Sequence, residues 1–212
     1  MRASGLFKYA SMSRRAAVTA AALAAMATLA GCSGAATGPA EGDMAKGAAE
    51  GAKVTVVEYA SVTCGACAAW QQQVWPEFKT KYVDTNKVRF VFREFPTAPQ
   101  AVAVAGFLTA RCAGEDKYFN VIEEIMASQP ELFSGNPRNV LLRIANGAGL
   151  TEEQFQQCVT DPEAIQAMDT RIKAALDAGV TGTPYFMVNG VHVADPSLSS
   201  LSEKIDEALA AE

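Results

Sequence analysis

The pair Cys64-Gly65-Ala66-Cys67 follows directly after a short apolar run, residues 54–60, and stands at the start of a segment with helical character. A strand that leads through a short turn into a helix places Cys64 near the first helical turn. Unpaired N–H groups and the positive end of the helix dipole favour a thiolate there. Cys67 then lies one turn deeper, within reach of any mixed disulfide formed at Cys64. This context indicates a redox-active dithiol, although a Cys-x-x-Cys pair by itself also occurs in zinc sites and structural disulfides.

A zinc site fits the sequence poorly. The remaining cysteines are single and far from the pair, and the only histidine of the chain is His192. A structural zinc ion needs four Cys or His ligands that meet at one point. We therefore predict no metal ligands, and no cofactor other than a redox-active disulfide between Cys64 and Cys67.

The N-terminal 31 residues have the pattern of an export signal. Residues 1–15 carry four basic side chains and no acidic one, and residues 16–30 are almost entirely apolar. This stretch is too short to span a bilayer as a mature helix, and it is typical of a signal peptide. Its end, Leu-Ala-Gly-Cys at residues 29–32, resembles the bacterial lipobox, in which the cysteine is diacylated and becomes the new N-terminus. Cys32 is therefore predicted to be a lipid anchor. Cleavage by ordinary signal peptidase, which would release a soluble protein, is the alternative.

Composition after the signal peptide limits the partners of the protein. A chain that begins at Cys32 keeps 14 basic and 23 acidic residues, a net charge of −9. Such a charge argues against nucleic acid or anionic lipid as the main partner. Residues 34–51 are rich in Gly and Ala and lack apolar periodicity, so we expect a flexible tether over residues 32–52.

Two cysteines remain once Cys32 and the Cys64/Cys67 pair are set aside. Cys112 and Cys158 each lie within a helical pattern. An even remainder in an exported chain favours a structural disulfide between them. Two buried free thiols that pack as small apolar side chains are the alternative.

Beyond the tether, the order of elements is strand, helix, strand, several helices, two strands and a helix. Apolar patterns predict strands at residues 53–60 and 87–95, and a helix over residues 67–83 that is interrupted at Pro76. Capping signals then mark three later helices, at Asn136, Thr151 and Asp161. Asn189-Gly190 between two apolar runs predicts a β-hairpin with a type I′ turn.

The segments 54–64, 90–96 and 181–190, in this order around the helices, resemble the thioredoxin fold. The helices between the second and third segments make the chain similar to the DsbA-like thiol:disulfide oxidoreductases. The resemblance runs from about residue 53 to the C-terminus. It implies an α/β, thioredoxin-like domain over residues 53–212, with an inserted helical domain at about 99–179.

The resemblance also implies roles for individual residues. Cys64 would be the exposed nucleophile, Cys67 the resolving thiol, and Pro184 a cis-proline beside the disulfide. The backbone of Thr183 would then be free to bind an incoming cysteine peptide in an extended conformation. Glu58 faces inward if the strand alternates, and a buried acid at this place in the family assists proton transfer at the resolving cysteine. A solvated strand residue is the alternative for Glu58.

The sequence departs from the best-known oxidases of the family between the cysteines, where they have Pro-His and this chain has Gly65-Ala66. Without a histidine there, we expect a nucleophile pKa between about 3.5, as in DsbA, and about 7, as in thioredoxin. Thr183 before the proline also occurs in isomerases of the superfamily, so it leaves the direction of electron flow open.

Together these features predict a bacterial thiol:disulfide oxidoreductase of the periplasm, lipid-anchored to a membrane. It would act as an oxidase on cysteine-containing exported proteins and be recharged by a membrane redox partner that the sequence does not identify. Three alternatives stay open: a reductase or isomerase with the same site, a copper-handling protein, and a module that binds extended peptides without redox turnover.

Overall fold

The computed structural model of the protein describes residues 38–211. The predicted signal peptide, the lipid anchor Cys32 and the first residues of the predicted tether lie outside the described residues. Within the described range, no helix is long and apolar enough to cross a membrane.

A mixed sheet forms the centre of the domain. Its strands, within residues 38–211, are β1 Met44–Gly47, β2 Thr55–Ala60, β3 Arg89–Glu94, β4 Tyr185–Val188 and β5 Val191–Val193. They lie in the order β1-β3-β2-β4-β5. The neighbouring strands β2 and β3 run parallel, and every other neighbouring pair is antiparallel. The residue that follows β2 therefore lies at the same edge of the sheet as the residue that precedes β4.

Helices surround this sheet and make up most of the chain between β3 and β4. Two helices and a π-helical turn, Lys79–Val83, follow β2; six helices lie between β3 and β4; and one helix ends the described chain. The helices are α1 Gly65–Gln73, α2 Trp75–Phe78, α3 Gln100–Cys112, α4 Glu115–Ala127, α5 Gln129–Ser134, α6 Pro137–Gly147, α7 Glu152–Thr160, α8 Pro162–Asp177 and α9 Leu198–Ala210. This arrangement confirms the predicted α/β fold with an inserted helical domain.

The flexible tether predicted through residue 52 is wrong for β1. Met44–Gly47 forms a strand that pairs antiparallel with β3, from Met44 opposite Phe92 to Gly47 opposite Arg89. The strand was missed because four residues are too few to show a period, and because only Met44 among them is buried. The ordered domain therefore begins before residue 53.

Local signals for turns and helix starts are confirmed. Asn189 and Gly190 both have positive φ, 45° and 86°, and join β4 to β5 as the two-residue turn that the Asn-Gly pair predicts. Thr151 forms a complete capping box with Gln154 at the start of α7. The helical segment after β2 breaks at Val74, between α1 and α2, two residues before Pro76, which lacks the N–H that would continue the first helix.

The two faces of the sheet pack against different helices. Alternation along β2 turns Val56 and Glu58 to the face that carries the main core, which also includes Cys67 and Trp70 of α1. Val57 and Tyr59 face the opposite side, in a smaller cluster that contains Ala175 of α8. The helix with the cysteine pair is thus packed on the same side of the sheet as Glu58.

Candidate functional site: a dithiol facing a cis-proline

Cys64 is the N-terminal cap of α1, and Cys67 lies in the first turn of that helix. The Cys64 sulfur accepts a hydrogen bond from the backbone N–H of Cys67, at 3.1 Å. Cys64 is half-buried whereas Cys67 has no solvent exposure, and neither forms a disulfide in the structure. The two sulfur atoms are therefore unequal: one is accessible to a partner, and the other is reachable only through the first.

The pKa of the Cys64 thiol is lowered to about 6. A hydrogen bond with the Cys67 thiol contributes most to this shift. Burial acts against it, and further hydrogen bonds, with Thr183 and with the backbone N–H groups of Cys67 and Ala66, favour the thiolate. The pKa of Cys67 moves in the opposite direction, above its usual range, because burial disfavours its charged form. At neutral pH, Cys64 is a thiolate and Cys67 a thiol.

Glu58 lies below the pair on β2 and is almost fully buried, at 2% exposure. Burial, and next to it the negative charge of Cys64, raise the pKa of this carboxyl group to about 8. Its charge in turn contributes to the raised pKa of Cys67, although less than burial does. The inward orientation follows from the alternation of β2, and it leaves a protonated carboxylic acid close to the buried thiol at neutral pH.

Thr183 and Pro184 reach the site from the other side of the sheet edge. The pairing of Tyr59 on β2 with Tyr185 on β4 places the residues that precede β4 beside the end of β2. The peptide bond between Thr183 and Pro184 is cis, and the Thr183 carbonyl oxygen lies 3.5 Å from the Cys64 sulfur, which can donate to it only when Cys64 is protonated. The structure therefore brings together all five residues that the sequence predicts for catalysis and substrate binding.

The sequence did not point to a network of hydroxyl groups under the loop that carries Cys64. The buried Ser61 hydroxyl accepts from the backbone N–H groups of Thr63, at 3.3 Å, and of Thr97, at 3.1 Å. The Thr63 hydroxyl donates to the Thr97 carbonyl oxygen at 2.9 Å. A second cis peptide bond, between Ala98 and Pro99, follows this contact. Three hydroxyl-bearing residues in two segments have no local signature, so only folding reveals them as a group.

Gln129 is a second residue that the sequence did not indicate. Its side-chain amide donates to the carbonyl oxygens of Val62, at 2.9 Å, and of Cys64, at 3.0 Å. Gln129 is the first residue of α5 and lies 65 positions from Cys64 in the chain. Glutamines at helix starts are common, so no sequence signal could have connected this one with the site.

The other predicted residues lie outside the dithiol site. Cys112, the last residue of α3, and Cys158, in α7, form a disulfide with Cα atoms 6.2 Å apart. His192, the single histidine of the chain, stacks on Tyr185 with ring centroids 4.0 Å apart. In the part of the chain that the structure describes, no three His, Cys, Asp or Glu side chains are grouped so that they could hold a metal ion.

Comparison with known proteins places this geometry in a family. A family model described as "Thioredoxin" matches residues 40–207. A Rickettsia bellii protein named "Putative protein-disulfide oxidoreductase" is 34% identical over 172 residues, which are 80% of this chain and 65% of the relative. The chain thus spans slightly less than two thirds of the length of that relative. A Bacillus anthracis protein named "Probable disulfide bond formation protein D" is 29% identical, over 74% of this chain and 75% of the relative.

Solved structures with a similar fold include disulfide-exchange proteins, as the sequence relatives do. The crystal structure of alpha-DsbA1 from Wolbachia pipientis matches with a TM-score of 0.76 and 25% identity, over 84% of this chain and 96% of that chain. Oxidised BdbD from Bacillus subtilis, with a TM-score of 0.70, 18% identity and coverage of 80% and 94%, shares the fold. A dithiol at the start of a helix that faces a cis-proline defines a protein of the thioredoxin class. Within that class, the chain belongs to the DsbA-like thiol:disulfide oxidoreductase family.

Proposed function

We propose that this protein is a thiol:disulfide oxidoreductase of the bacterial cell envelope, which works as an oxidase of exported proteins. The observation that carries the proposal is the asymmetry of the dithiol. Cys64 is accessible and has a pKa lowered to about 6, whereas Cys67 is buried and has a raised pKa. A stable Cys64 thiolate favours the reduced form of the protein, and therefore makes its disulfide an oxidant. The redox-active disulfide supplies the reactive group without a further cofactor.

The reaction consists of two thiol–disulfide exchanges. A substrate thiolate attacks the Cys64 sulfur, the bond between Cys64 and Cys67 breaks, and Cys67 leaves as a thiolate that takes up a proton. A second substrate thiolate then attacks the substrate sulfur of the mixed disulfide, and Cys64 leaves as a thiolate. The substrate gains a disulfide and loses two electrons, which the protein holds as the Cys64/Cys67 dithiol.

Glu58 and Thr183 have supporting roles in this proposal. With a pKa raised to about 8, Glu58 holds a proton at neutral pH that it can pass to the Cys67 thiolate and later take back. The backbone on either side of the cis bond between Thr183 and Pro184 would bind an extended substrate peptide beside the Cys64 sulfur, as an added strand does.

The reduction potential of the dithiol decides whether the protein oxidises or reduces its substrates. We expect a reduction potential between about −270 mV, as in thioredoxin, and about −120 mV, as in DsbA. A pKa of Cys64 near 6 supports this range, because the thiolate is more stable than in thioredoxin and less stable than in DsbA. Equilibration of the purified protein with glutathione measures the potential. A value at or below that of thioredoxin would make the protein a reductase.

Localisation and partners follow from the N-terminal sequence. The export signal and the lipobox-like residues 29–32 support a periplasmic protein that is anchored by a lipid at Cys32. Because the reaction leaves the protein as a dithiol, an oxidase also needs a membrane redox partner that restores its disulfide. Mass spectrometry of the mature protein should find a diacylglyceryl group on an N-terminal Cys32. An unmodified N-terminus downstream of Cys32 would show a soluble periplasmic protein instead.

Trapping of the mixed disulfide tests the exchange itself. In a Cys67→Ala variant, Cys64 still attacks but no thiol resolves the intermediate, so adducts with envelope proteins should accumulate and disappear on reduction. A Cys64→Ala/Cys67→Ala variant, which keeps the fold but lacks the nucleophile, is the matched control. If the two variants give the same bands on non-reducing electrophoresis, the protein does not exchange disulfides through Cys64.

A further inference from the structure

The amide of Gln129 is the one polar side chain of the helical insertion that the structure bonds to the backbone of Cys64. It is 7% exposed, and its Nε2 atom lies 2.9 Å from the Val62 oxygen and 3.0 Å from the Cys64 oxygen. Both partners are carbonyl groups, which only accept hydrogen bonds. The amide must therefore present its NH2 group to them, and both of its protons are used.

The two carbonyl groups belong to the loop that carries the nucleophile. The Cys64 oxygen also accepts the first hydrogen bond of α1, from the Ala68 N–H at 3.1 Å, and the Cys64 N–H donates to the Ser61 oxygen at 3.1 Å. The orientation of the Cys64 backbone sets where its sulfur lies relative to the Cys67 N–H, at 3.1 Å. A side chain that fixes this backbone therefore also fixes the Cys64 sulfur within hydrogen-bond distance of the Cys67 N–H group.

The amide acts on charge as well as on position. The negative end of a carbonyl dipole next to a thiolate raises the energy of the charged form, and a donor on that carbonyl reduces the effect. Gln129 compensates two such dipoles, one of them on the nucleophile itself. A residue with a donor at this position thus favours the thiolate, whereas an apolar residue leaves both carbonyl groups without the donor.

We propose that Gln129 is a positioning residue through which the helical insertion holds the backbone of Cys64 in the geometry that stabilises its thiolate. The inference rests on the proposed function only in that the Cys64 thiolate is taken as the reactive group. Gln129 does not touch the substrate; it acts through the loop of residues 62–64. The redox strength of the dithiol then depends on the inserted domain, and not only on the thioredoxin-like part.

Two substitutions test the role of Gln129. Gln129→Met keeps the length of the side chain and removes both donors, and Gln129→Glu keeps its shape but places an acceptor next to the carbonyl groups. We expect both to raise the Cys64 pKa by about one unit, measured by the ultraviolet absorbance of the thiolate. In equilibrium with glutathione at pH 7, the constant for reduction of the protein disulfide should fall about fivefold. Gln166→Met, at an exposed glutamine of α8, is the matched control and should change neither value.

The outcome is decisive because both measurements compare two states of the same folded protein. A general loss of stability alone moves neither the thiolate pKa nor the glutathione equilibrium in a defined direction. If a variant that folds, by circular dichroism and gel filtration, keeps both values within twofold of wild type, Gln129 has no positioning role. If Gln129→Met does not fold, Gln129→Leu, which also removes both donors and adds no charge, decides. The thiolate titration needs no substrate, so it tests Gln129 even if the Cys67→Ala variant traps no partner and the proposed function fails.

Discussion

Cys64 and Cys67 are three positions apart and have opposite environments. The first caps a helix and accepts an N–H at 3.1 Å, and the second is enclosed by the main core. Hydrogen bonding to the charged form lowers one pKa, and burial raises the other. The change from a half-buried cap to a fully buried position within a single helical turn therefore gives the two thiols different chemistry.

Glu58 carries a prediction about stability at the scale of one residue. In the folded protein its pKa is raised to about 8, against 4.5 for an ordinary glutamate. Between these pH values the folded state binds a proton that the unfolded state has lost, so stability falls as pH rises through the window. Glu58→Gln, which cannot ionise, should therefore stabilise the oxidised protein on the order of 2 kcal/mol at pH 8 and much less at pH 5.

Urea unfolding of the oxidised protein between pH 5 and pH 8 measures this difference. The oxidised form is used because it contains no Cys64 thiolate that would add its own charge. Glu77→Gln, at an exposed position of α2, is the control and should leave the pH dependence of wild type unchanged. Parallel curves for wild type and Glu58→Gln would show that Glu58 is ionised in the folded protein and does not hold a proton for Cys67.

At the scale of elements, the helical insertion is joined to the sheet through buried polar contacts. Glu94, the last residue of β3, has a fully buried side chain that accepts from Arg111 of α3 at 2.6 Å and from Arg171 of α8 at 3.0 Å. The Tyr118 hydroxyl of α4 donates to it at 3.1 Å. Three helices of the insertion thus meet at one carboxylate at the end of a central strand. Together with Gln129, these contacts make the insertion part of the domain rather than an appendage.

The disulfide between Cys112 and Cys158 also links elements of the insertion, because it joins α3 to α7 across 46 residues. In the chain-entropy model, a loop of this length contributes roughly 4 kcal/mol through the unfolded state. We expect the double variant Cys112→Ala/Cys158→Ala to lose about 2–4 kcal/mol of unfolding free energy, measured in urea without reductant. Its glutathione equilibrium at Cys64 should stay at the wild-type value, since the bridge contacts neither Cys64 nor Cys67 in the described structure. A changed equilibrium with unchanged stability would instead make the bridge a regulator of the site.

At the scale of the whole molecule, the redox state of one pair is linked to the stability of the entire fold. A Cys64 pKa of about 6 in the folded state lies below the ordinary thiol value of 9. Its stabilisation of the reduced protein is therefore fully present above pH 9 and is lost as pH falls through 6. The oxidised protein has no such dependence, because its cysteines do not titrate.

The reduced protein should accordingly gain stability over the oxidised protein as pH rises from 6 to 9. The gain should stay below about 1.4 kcal/mol per pH unit, the limit for one proton, because Cys64 is half exposed and solvent screens its charge. Urea unfolding of both forms at three pH values measures it, with Cys64→Ser/Cys67→Ser as the control that lacks the titrating thiol. A difference that does not change with pH would contradict a stabilised thiolate and remove the basis for an oxidase.

Features encoded in neighbouring residues could be predicted from the sequence. The cap position of Cys64, the Asn189-Gly190 turn and the capping box at Thr151 depend on backbone conformations and hydrogen bonds that close within about four residues. The α/β order followed from the periods of the apolar patterns together with the family resemblance. These signals are local, so they can be recognised in the sequence without knowledge of the tertiary structure.

Other features were decided only by packing between distant segments. On α8, the large apolar side chain of Leu176 is exposed, whereas the adjacent Ala175 is buried against the sheet, a choice that the apolar character of the two residues does not determine. The pairing of β1 with β3 and the approach of Gln129 to Cys64 join segments far apart in the chain. A polar side chain can donate a hydrogen bond to any carbonyl oxygen within reach. Which carbonyl oxygen comes within reach depends on how the helices and the sheet pack. The sequence by itself therefore determined the dithiol and its helix, and the tertiary structure decided which distant groups surround them.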